Sequence, residues 1–392
     1  MMSLSASVEK KFKSLFSEQP LFVRSPGRVN LIGEHTDYNM GFVLPAAIDK
    51  AIYFAVAPRS DAVCRIVSID MNDEHSFALN DLHASPKGWP NYLMGVVDQF
   101  LKGRYNLLGF NCVFGGDIPI GAGLSSSAAL EAGLAYALNR IFELKIGDLT
   151  LVRMSQKAEN EFVGVQCGIM DQYINIFGRE EKALQLDCRS LQHIYYPFDE
   201  RIAVVLFDTR VSHSLASSEY NKRRKECGEG VEIVKKSYPG VTHLRDVSAE
   251  MLEACKPMMS PLIYRRCKYV IEENNRVLNA CRALEAKEIA AFGRYMQESH
   301  NGLSRGFEVS CPELDFLAEA VKEIPSVYGA RMMGGGFGGC TINLVERDSV
   351  ADVTKTVTER YGKRFGVDLK TYVTAISGGT SVATEKGDTR VS

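Results

Sequence analysis

The chain has 392 residues, 45% of them hydrophobic, with 46 basic and 48 acidic side chains and a formal net charge of −2. That length predicts two ordinary domains with substantial cores, and the balanced charge excludes the long-range positive field that would hold nucleic acid or an anionic membrane. No apolar run approaches the roughly 20 residues a membrane span needs, and the ten cysteines show neither a C-x-x-C pair nor zinc-like spacing, so buried thiols in a reducing cytoplasm are expected.

Residues 1–20 read as an amphipathic helix with Val8, Phe12, Leu15 and Phe16 on one side, and without the apolar core of a signal peptide. An extended opening from Leu21 meets Pro26-Gly27 and then turns densely polar, with Arg28, Asn30, Glu34, His35 and Asp37 inside ten residues. Burying that many polar groups costs about 1–3 kcal/mol for each one left unmet. The stretch is therefore either a structural lock, in which Glu34 and Asp37 pair with Arg28, or the pocket of a polar ligand. Segments 42–57 and 63–69 read as sheet strands, and Trp89-Pro-Asn-Tyr92 opens a helix towards Leu101. Trp89, the only tryptophan, and Tyr92 either pack in the core or face a flat ligand such as adenine.

Next comes Pro119-Ile-Gly-Ala-Gly-Leu-Ser-Ser-Ser-Ala-Ala-Leu-Glu131, between a strand-like run and a helical one. Gly121 and Gly123 allow a tight turn with close backbone approach, and the first N–H groups of the following helix have no internal partners, which makes an anion seat. Leu124 precedes three hydroxyls, Ser125, Ser126 and Ser127, which could cap the helix, bind phosphate oxygens or touch a phosphate-bound cation. A Ser-capped helix after a glycine turn fits the same letters. No lysine lies between Lys102 and Lys145, which rules out a Walker A loop, and a dinucleotide fingerprint would need a glycine where Ser126 stands. Any phosphate here must be met by the helix N-terminus, hydroxyls and a metal ion. The small residues that follow, Ala128 to Ala137, let the helix pack close to a sheet. Two more helices are expected, 149–162 behind an Asp148 cap and carrying Glu159, and 169–177 with Asp171 in its first turn after Gly168.

Gly178 and the charged run to Lys182 predict a domain boundary, giving an N-terminal domain 1–178, a C-terminal domain 179–378 and a frayed polar tail 379–392. In the second domain, 183–187 and 194–198 read as a hairpin, 203–207 as a buried strand, 212–220 as the lead into a charged helix, and 245–325 as mostly helical. A second glycine loop, 333–339, precedes a strand 340–345, a helix 350–361 and a strand 371–376.

Five strings, Gly27-Arg-Val-Asn-Leu-Ile-Gly-Glu-His-Thr-Asp-Tyr38, the loop Gly121 to Ala128, Cys167-Gly-Ile-Met-Asp-Gln172, Ser217-Ser-Glu-Tyr220 and the loop Gly334 to Cys340, resemble motifs of the GHMP small-molecule kinases, and within them of the galactokinase family, over nearly all the chain. The resemblance implies an α+β, two-domain GHMP kinase fold: a mixed-sheet N-terminal domain and a smaller α/β C-terminal domain with the active site between them. It implies an ATP-dependent sugar 1-kinase that moves the γ-phosphoryl group to the C1 hydroxyl of α-D-galactose with Mg²⁺, and a monomer is expected. By the same resemblance Glu34, His35, Asp37, the Gly168 backbone, Asp171 and Tyr220 would grip the sugar. Asp171 would be the base for the C1 hydroxyl, taking its proton late, with Arg28 beside it. Trp89 and Tyr92 would lie near adenine, Gly121, Gly123, Leu124, Ser125, Ser126 and Ser127 with Gly335 and Gly336 would hold the nucleotide, and Ser126 and Glu159 would offer hard oxygens to Mg²⁺. The chain departs from the family's usual Arg-Met-Thr at Arg331-Met-Met333, and from Arg-Asp-Asp-Tyr-Glu at Ser304-Arg-Gly-Phe-Glu308. Two other readings are a kinase for a related sugar, such as N-acetylgalactosamine or arabinose, and a non-catalytic sugar sensor on the same fold.

Overall fold

The computed structural model describes residues 3–119, 121–211, 216–384 and 387–389. The Ser3 hydroxyl caps helix α1, Leu4–Leu15, by accepting from the Ala6 N–H, and the helix buries Val8 and Phe12. Strand β1, Leu21–Asn30, continues through Pro26-Gly27 with a register shift between Pro26 and Arg28. Such a bulge is how a strand accommodates a proline, and it re-aims the side chains beyond. There follow β2 (Phe42–Val43), β3 (Pro45–Pro58), β4 (Val63–Ser68), β5 (Asp73–Ala78), helix α2 (Pro90–Lys102), β6 (Phe110–Gly116) and helices α3 (Ser126–Ile141), α4 (Asp148–Lys157) and α5 (Met170–Phe177). The hairpin β7 (Lys182–Asp187) and β8 (His193–Pro197) leads to β9 (Ile202–Asp208). Helices α6 (Ala216–Ser237), α7 (Ala249–Cys255), α8 (Pro261–Glu285), α9 (Ile289–Asn301) and α10 (Pro312–Ala320) come next. The chain then adds β10 (Val327–Met332), β11 (Cys340–Glu346), α11 (Val350–Phe365), β12 (Lys370–Thr374), β13 (Ser381–Thr384) and β14 (Gly387–Thr389).

Seven strands form the first sheet in the order β14-β13-β1-β3-β6-β4-β5, in which β4 and β6 run parallel and the other neighbours antiparallel. α3 lies on this sheet as its small residues predict: a Cβ at Gly133 would stand 2.5 Å from the Phe54 ring, and the Ser25 hydroxyl donates to the Ala129 carbonyl at 2.7 Å. A four-stranded antiparallel sheet, β10-β11-β9-β12, organises the second half. Between them β2-β7-β8 forms a small sheet that spans the expected boundary near residue 178.

Several expectations change. The expected frayed tail 379–392 is ordered at its start, because β13 pairs with the edge of β1 and Thr380 Oγ1 donates to Asn175 Oδ1 at 2.5 Å, while 385–386 and 390–392 lie outside the described residues. Asp148 is not the cap of α4: Gly147 holds that position and Asp148 sits in the first turn, where its charge still suits the helix dipole. The helix expected to run to 162 changes to a π-helical turn over Ala158–Val163. The lead-in at 212–215 lies outside the described residues. Among the described residues no helix is long and apolar enough to cross a membrane.

Candidate active site

The chain leaves β6 at Gly116 and turns through Gly121 and Gly123, both at positive φ of about 80 and 75°, before Ser125 opens α3 in a left-handed conformation, φ 55°. Ser125 occupies the cap position without capping; its hydroxyl donates instead to Asp171 Oδ2. Among the described residues no side chain therefore caps the N-terminus of α3, which suits an incoming anion.

The bulge in β1 delivers Arg28 to the same place. Its Nε and Nη2 each donate to Asp171 at 2.8 Å in a two-pronged pair, Nη1 donates to the Gly123 carbonyl at 2.5 Å, and its backbone N–H donates to the Leu124 carbonyl at 3.2 Å. Burial alone would lower the Arg28 pKa, but the Asp171 carboxylate more than offsets this and the net shift is upward. Arg28 is thus a fixed cation joining the first strand, the loop and the opening turn of α5.

The loop after β1 supplies the polar cluster. His35 adopts φ 62°, and its Nδ1 lies 2.9 Å from the Tyr38 hydroxyl and Nε2 3.3 Å from the Gly335 carbonyl. Its ring packs 5.2 Å from Tyr220 and 4.9 Å from Phe307, centroid to centroid. Burial pushes its pKa down to about 4, so the imidazole is neutral at neutral pH. Asp37 sits on Gly168 so closely that a Cβ there would fall 1.7 Å from Asp37 Oδ2. Burial, then the charge of Asp171, lifts the Asp37 carboxyl to about 7. Glu34 Oε1 accepts from Arg331 Nη2 at 3.1 Å and from the Gly334 N–H at 2.8 Å, which ties the first motif to the second glycine loop. The Glu34–Asp37–Arg28 lock considered above does not form, since Arg28 pairs with Asp171 and Glu34 with Arg331.

The two glycine loops face each other. A Cβ at Gly123 would lie 3.7 Å from the Met333 carbonyl and one at Gly339 3.8 Å from the Gly121 carbonyl, while a Cβ at Gly335 would touch the Tyr220 ring at 3.4 Å. Glu159, on the π-helical turn, accepts from Gln172 Nε2 at 2.8 Å, and the same amide donates to Glu131 at 3.1 Å. Burial first, then neighbouring carboxylates, raises both: Glu131 under the charge of Glu159, and Glu159 under that of Asp171. Among the described residues no donor reaches Glu131 Oε1, and its carboxyl faces that of Glu159. Of the hydroxyls opening α3, it is Ser127 that hydrogen-bonds Glu159; no contact joins Ser126 to Glu159 among the described residues, so the structure leaves the expected Ser126–Glu159 donor pair untested. Among the described residues no group of three His, Cys, Asp or Glu side chains would hold a metal unaided. A cation here would therefore need phosphate oxygens to complete its shell.

Glu131, Gln172 and Arg331 are site residues that motif reading passed over. Glu131 carried one signal, standing four residues after Ser127 on the same helix face. Trp89 is drawn largely into structure: its Nε1 donates to Asp73 at 3.0 Å and its ring packs 5.7 Å from Phe114. Tyr92 lies closer to the acids, and burial with the charge of Glu159 lifts its phenol to about 12. Of the two departures, Met333 is buried with its N–H bonded to the Cys340 carbonyl at 3.0 Å, and Phe307 is buried against His35 and Tyr269. Glu308 keeps an ion pair with Arg266 at 2.6 Å.

Three family models match the chain: a galactokinase galactose-binding signature over residues 10–58, the N-terminal domain of GHMP kinases over 91–179 and their C-terminal domain over 280–363. A galactokinase from Roseiflexus sp. is 43% identical over 376 residues, covering 96% of both chains. The crystal structure of Lactococcus lactis galactokinase complexed with galactose superposes with a TM-score of 0.93 at 33% identity, covering 97% of this chain and 100% of that one. Methanococcus jannaschii mevalonate kinase shares the fold, with a TM-score of 0.63 at 17% identity over 92% of this chain and 99% of its own.

Proposed function

The chain belongs to the galactokinases of the GHMP kinase family and transfers the γ-phosphoryl group of ATP to galactose; on that premise we propose that Asp171 receives the proton of the C1 hydroxyl of α-D-galactose in a pocket built from Glu34, His35, Asp37, Gly168 and Tyr220. The observation that carries this reading is the double engagement of Asp171, held by Arg28 from the sugar motif and by Ser125 from the nucleotide loop. One carboxylate would thereby serve both substrates.

The pocket suits a neutral polyol. His35 is neutral and has a partner at each ring nitrogen, and Asp37 is held close to the Gly168 backbone. Among the described residues no protein donor reaches Glu34 Oε2, which leaves an acceptor for a sugar hydroxyl. A sugar of the wrong stereochemistry would strand some of these buried groups and be rejected. The nucleotide's phosphates would rest on the uncapped start of α3 between Gly121, Gly123, Leu124, Ser125, Ser126 and Ser127 and the facing Gly335 and Gly336, with adenine towards Tyr92 and the edge of Trp89. Mg²⁺, held by Ser126 and Glu159 with the phosphates, would neutralise charge on the transferring group. Arg28 orients the Asp171 carboxylate and adds fixed positive charge next to the reacting centre, which a loose phosphoryl transfer rewards more than basicity. The reading carries with it a monomer working in a reducing cytoplasm, where ten free thiols would persist.

An ADP-release assay over galactose, N-acetylgalactosamine and arabinose tests the substrate. Turnover confined to galactose is expected; equal turnover of another sugar would overturn the assignment, and binding without turnover would make the protein a sensor.

A further inference from the structure

A cavity of about 840 Å³ shares Asp37 and Gly168 with the candidate sugar pocket, and no residue of the two glycine loops lines it. Five cations line it: Lys102 at the end of α2, Arg153 and Lys157 on α4, Arg189 in the β7–β8 turn and Arg224 on α6. Two carboxylates, Asp37 and Glu161, stand against them.

Local pairing absorbs part of this charge. Lys102 lies 2.7 Å from Asp98 and 3.1 Å from Glu161, and Arg189 lies 2.5 Å from Asp246. Arg224 donates to the Gln166 carbonyl at 2.8 Å, a neutral partner that leaves its charge uncompensated. Arg153 and Lys157 are exposed one helical turn apart, and among the described residues neither has a carboxylate at ion-pair distance. Lys157 acts on Glu161 only at a distance, lowering its carboxyl as a minor influence behind Gln99 and Lys102. Thr150 and Gln156 add uncharged donors from the same helix.

Three cations without a matched anion, converging on one cavity of small-molecule size, describe a receptor for a compact multivalent anion. A guanidinium fork and a lysine point charge suit phosphate oxygens. We propose that this cavity is a second ligand site, for a small organic phosphate, coupled to galactose binding through the Asp37–Gly168 wall the two pockets share. The coupling rests on the galactose reading given above; the binding does not. A phosphate held by Arg153 and Lys157 occupies the cavity that Asp37 also lines, and the seat of Asp37 on Gly168 has no spare room. Occupancy then shifts the position of a sugar-binding carboxylate, and linkage requires galactose to affect the phosphate's affinity by the same factor.

Calorimetry on the full chain tests this, with the catalytic cleft first saturated by galactose and a non-hydrolysable ATP analogue. Galactose 1-phosphate, adenosine monophosphate and inorganic phosphate are titrated separately, so that a sugar phosphate, a nucleotide and the bare anion are told apart. At least one of the two esters is expected to bind, more tightly than inorganic phosphate and more weakly as salt rises. The double substitution Arg153→Glu with Lys157→Glu should weaken that binding roughly tenfold or more, while the basal kcat and the galactose KM stay at parental values. In the parent the ester should change the galactose KM, and in the variant that change should vanish for adenosine monophosphate and shrink, for galactose 1-phosphate, to its product competition at the catalytic cleft. Absence of ester binding to the saturated protein, or equal binding by the variant, overturns the site; binding with an unmoved galactose KM overturns the coupling. Lys157→Gln, expected to weaken binding about threefold, stands in if the double variant does not fold. Failure of the galactokinase reading shows separately, as absence of ADP release with galactose alone.

Discussion

Replacing Asp171 by Asn isolates the proposed proton acceptor with almost no change in volume. The amide can still accept one bond from Arg28 but not both of the 2.8 Å bonds seen here, and it cannot take a proton from the sugar. Positioned acid–base groups contribute about 10²–10⁴ in rate, which at 1.36 kcal/mol per decade is about 3–5 kcal/mol of barrier. A fall in kcat of about 10³ is therefore expected. Arg28 is only 6% exposed, so losing its anion also destabilises the fold, by up to about 3 kcal/mol. The galactose contacts proposed for Glu34, His35, Asp37 and Tyr220 would remain, so sugar affinity should change by less than about tenfold. Coupled ADP release gives the rate, calorimetry gives the affinity, and a galactose-dependent rise in melting temperature shows that the variant is folded. A folded variant whose kcat stays within about tenfold of the parent would refute the assignment of Asp171.

Other perturbations follow from the same geometry. Glu34→Ala strands Arg331, which is fully buried, and should cost about 3–5 kcal/mol of unfolding free energy in denaturant titration; a loss below about 1 kcal/mol would mean the pair does not tie the two motifs together. Gly168→Ala places a methyl on the Asp37 carboxylate and should raise the galactose KM roughly tenfold or more with a smaller effect on the ATP KM, whereas equal effects on both would point to general misfolding. Asp37, with its folded-state carboxyl near 7, retains a proton that the unfolded chain gives up near 3.8. Its contribution to stability is complete at low pH, is lost as pH rises through about 7, and should amount to about 2–3 kcal/mol between pH 5 and pH 8. The comparison of parent and Asp37→Asn unfolding at those two pH values should show that difference, and matching pH profiles would contradict it.

The site was legible where polar residues interrupt an apolar rhythm. Arg28, Glu34, His35 and Asp37 stood out because a strand cannot bury so many polar groups without partners, and the glycine-serine loop because only glycine permits such turns. What the letters left open was pairing. Arg28 could equally have met Glu34 or Asp37, and only the fold brings Asp171 to it from 143 positions away. Ser125 looked like a helix cap, yet the left-handed backbone at that residue turns its hydroxyl to Asp171. β5 escaped notice because Asp73-Glu-His-Ser-Phe-Ala78 is a polar edge strand, and β10 because Gly329 interrupts it. β13 was hidden for a different reason. Ser381 to Thr384 carry little apolar signal, and their pairing is set by an open edge of β1 more than 350 residues earlier in the chain.

That late strand bears on how the protein is made. Arg24 on β1 donates to the carbonyls of Ile48 and Gly378 and to the Ser377 hydroxyl, so the strand that carries the sugar motif is anchored by a residue translated 354 positions later. A nascent chain on the ribosome can assemble β1, β3 and β6 early, but the outer flank of β1 stays bare until residues 377–384 emerge from the exit tunnel. During that interval the exposed flank is a template for stray pairing with other nascent chains.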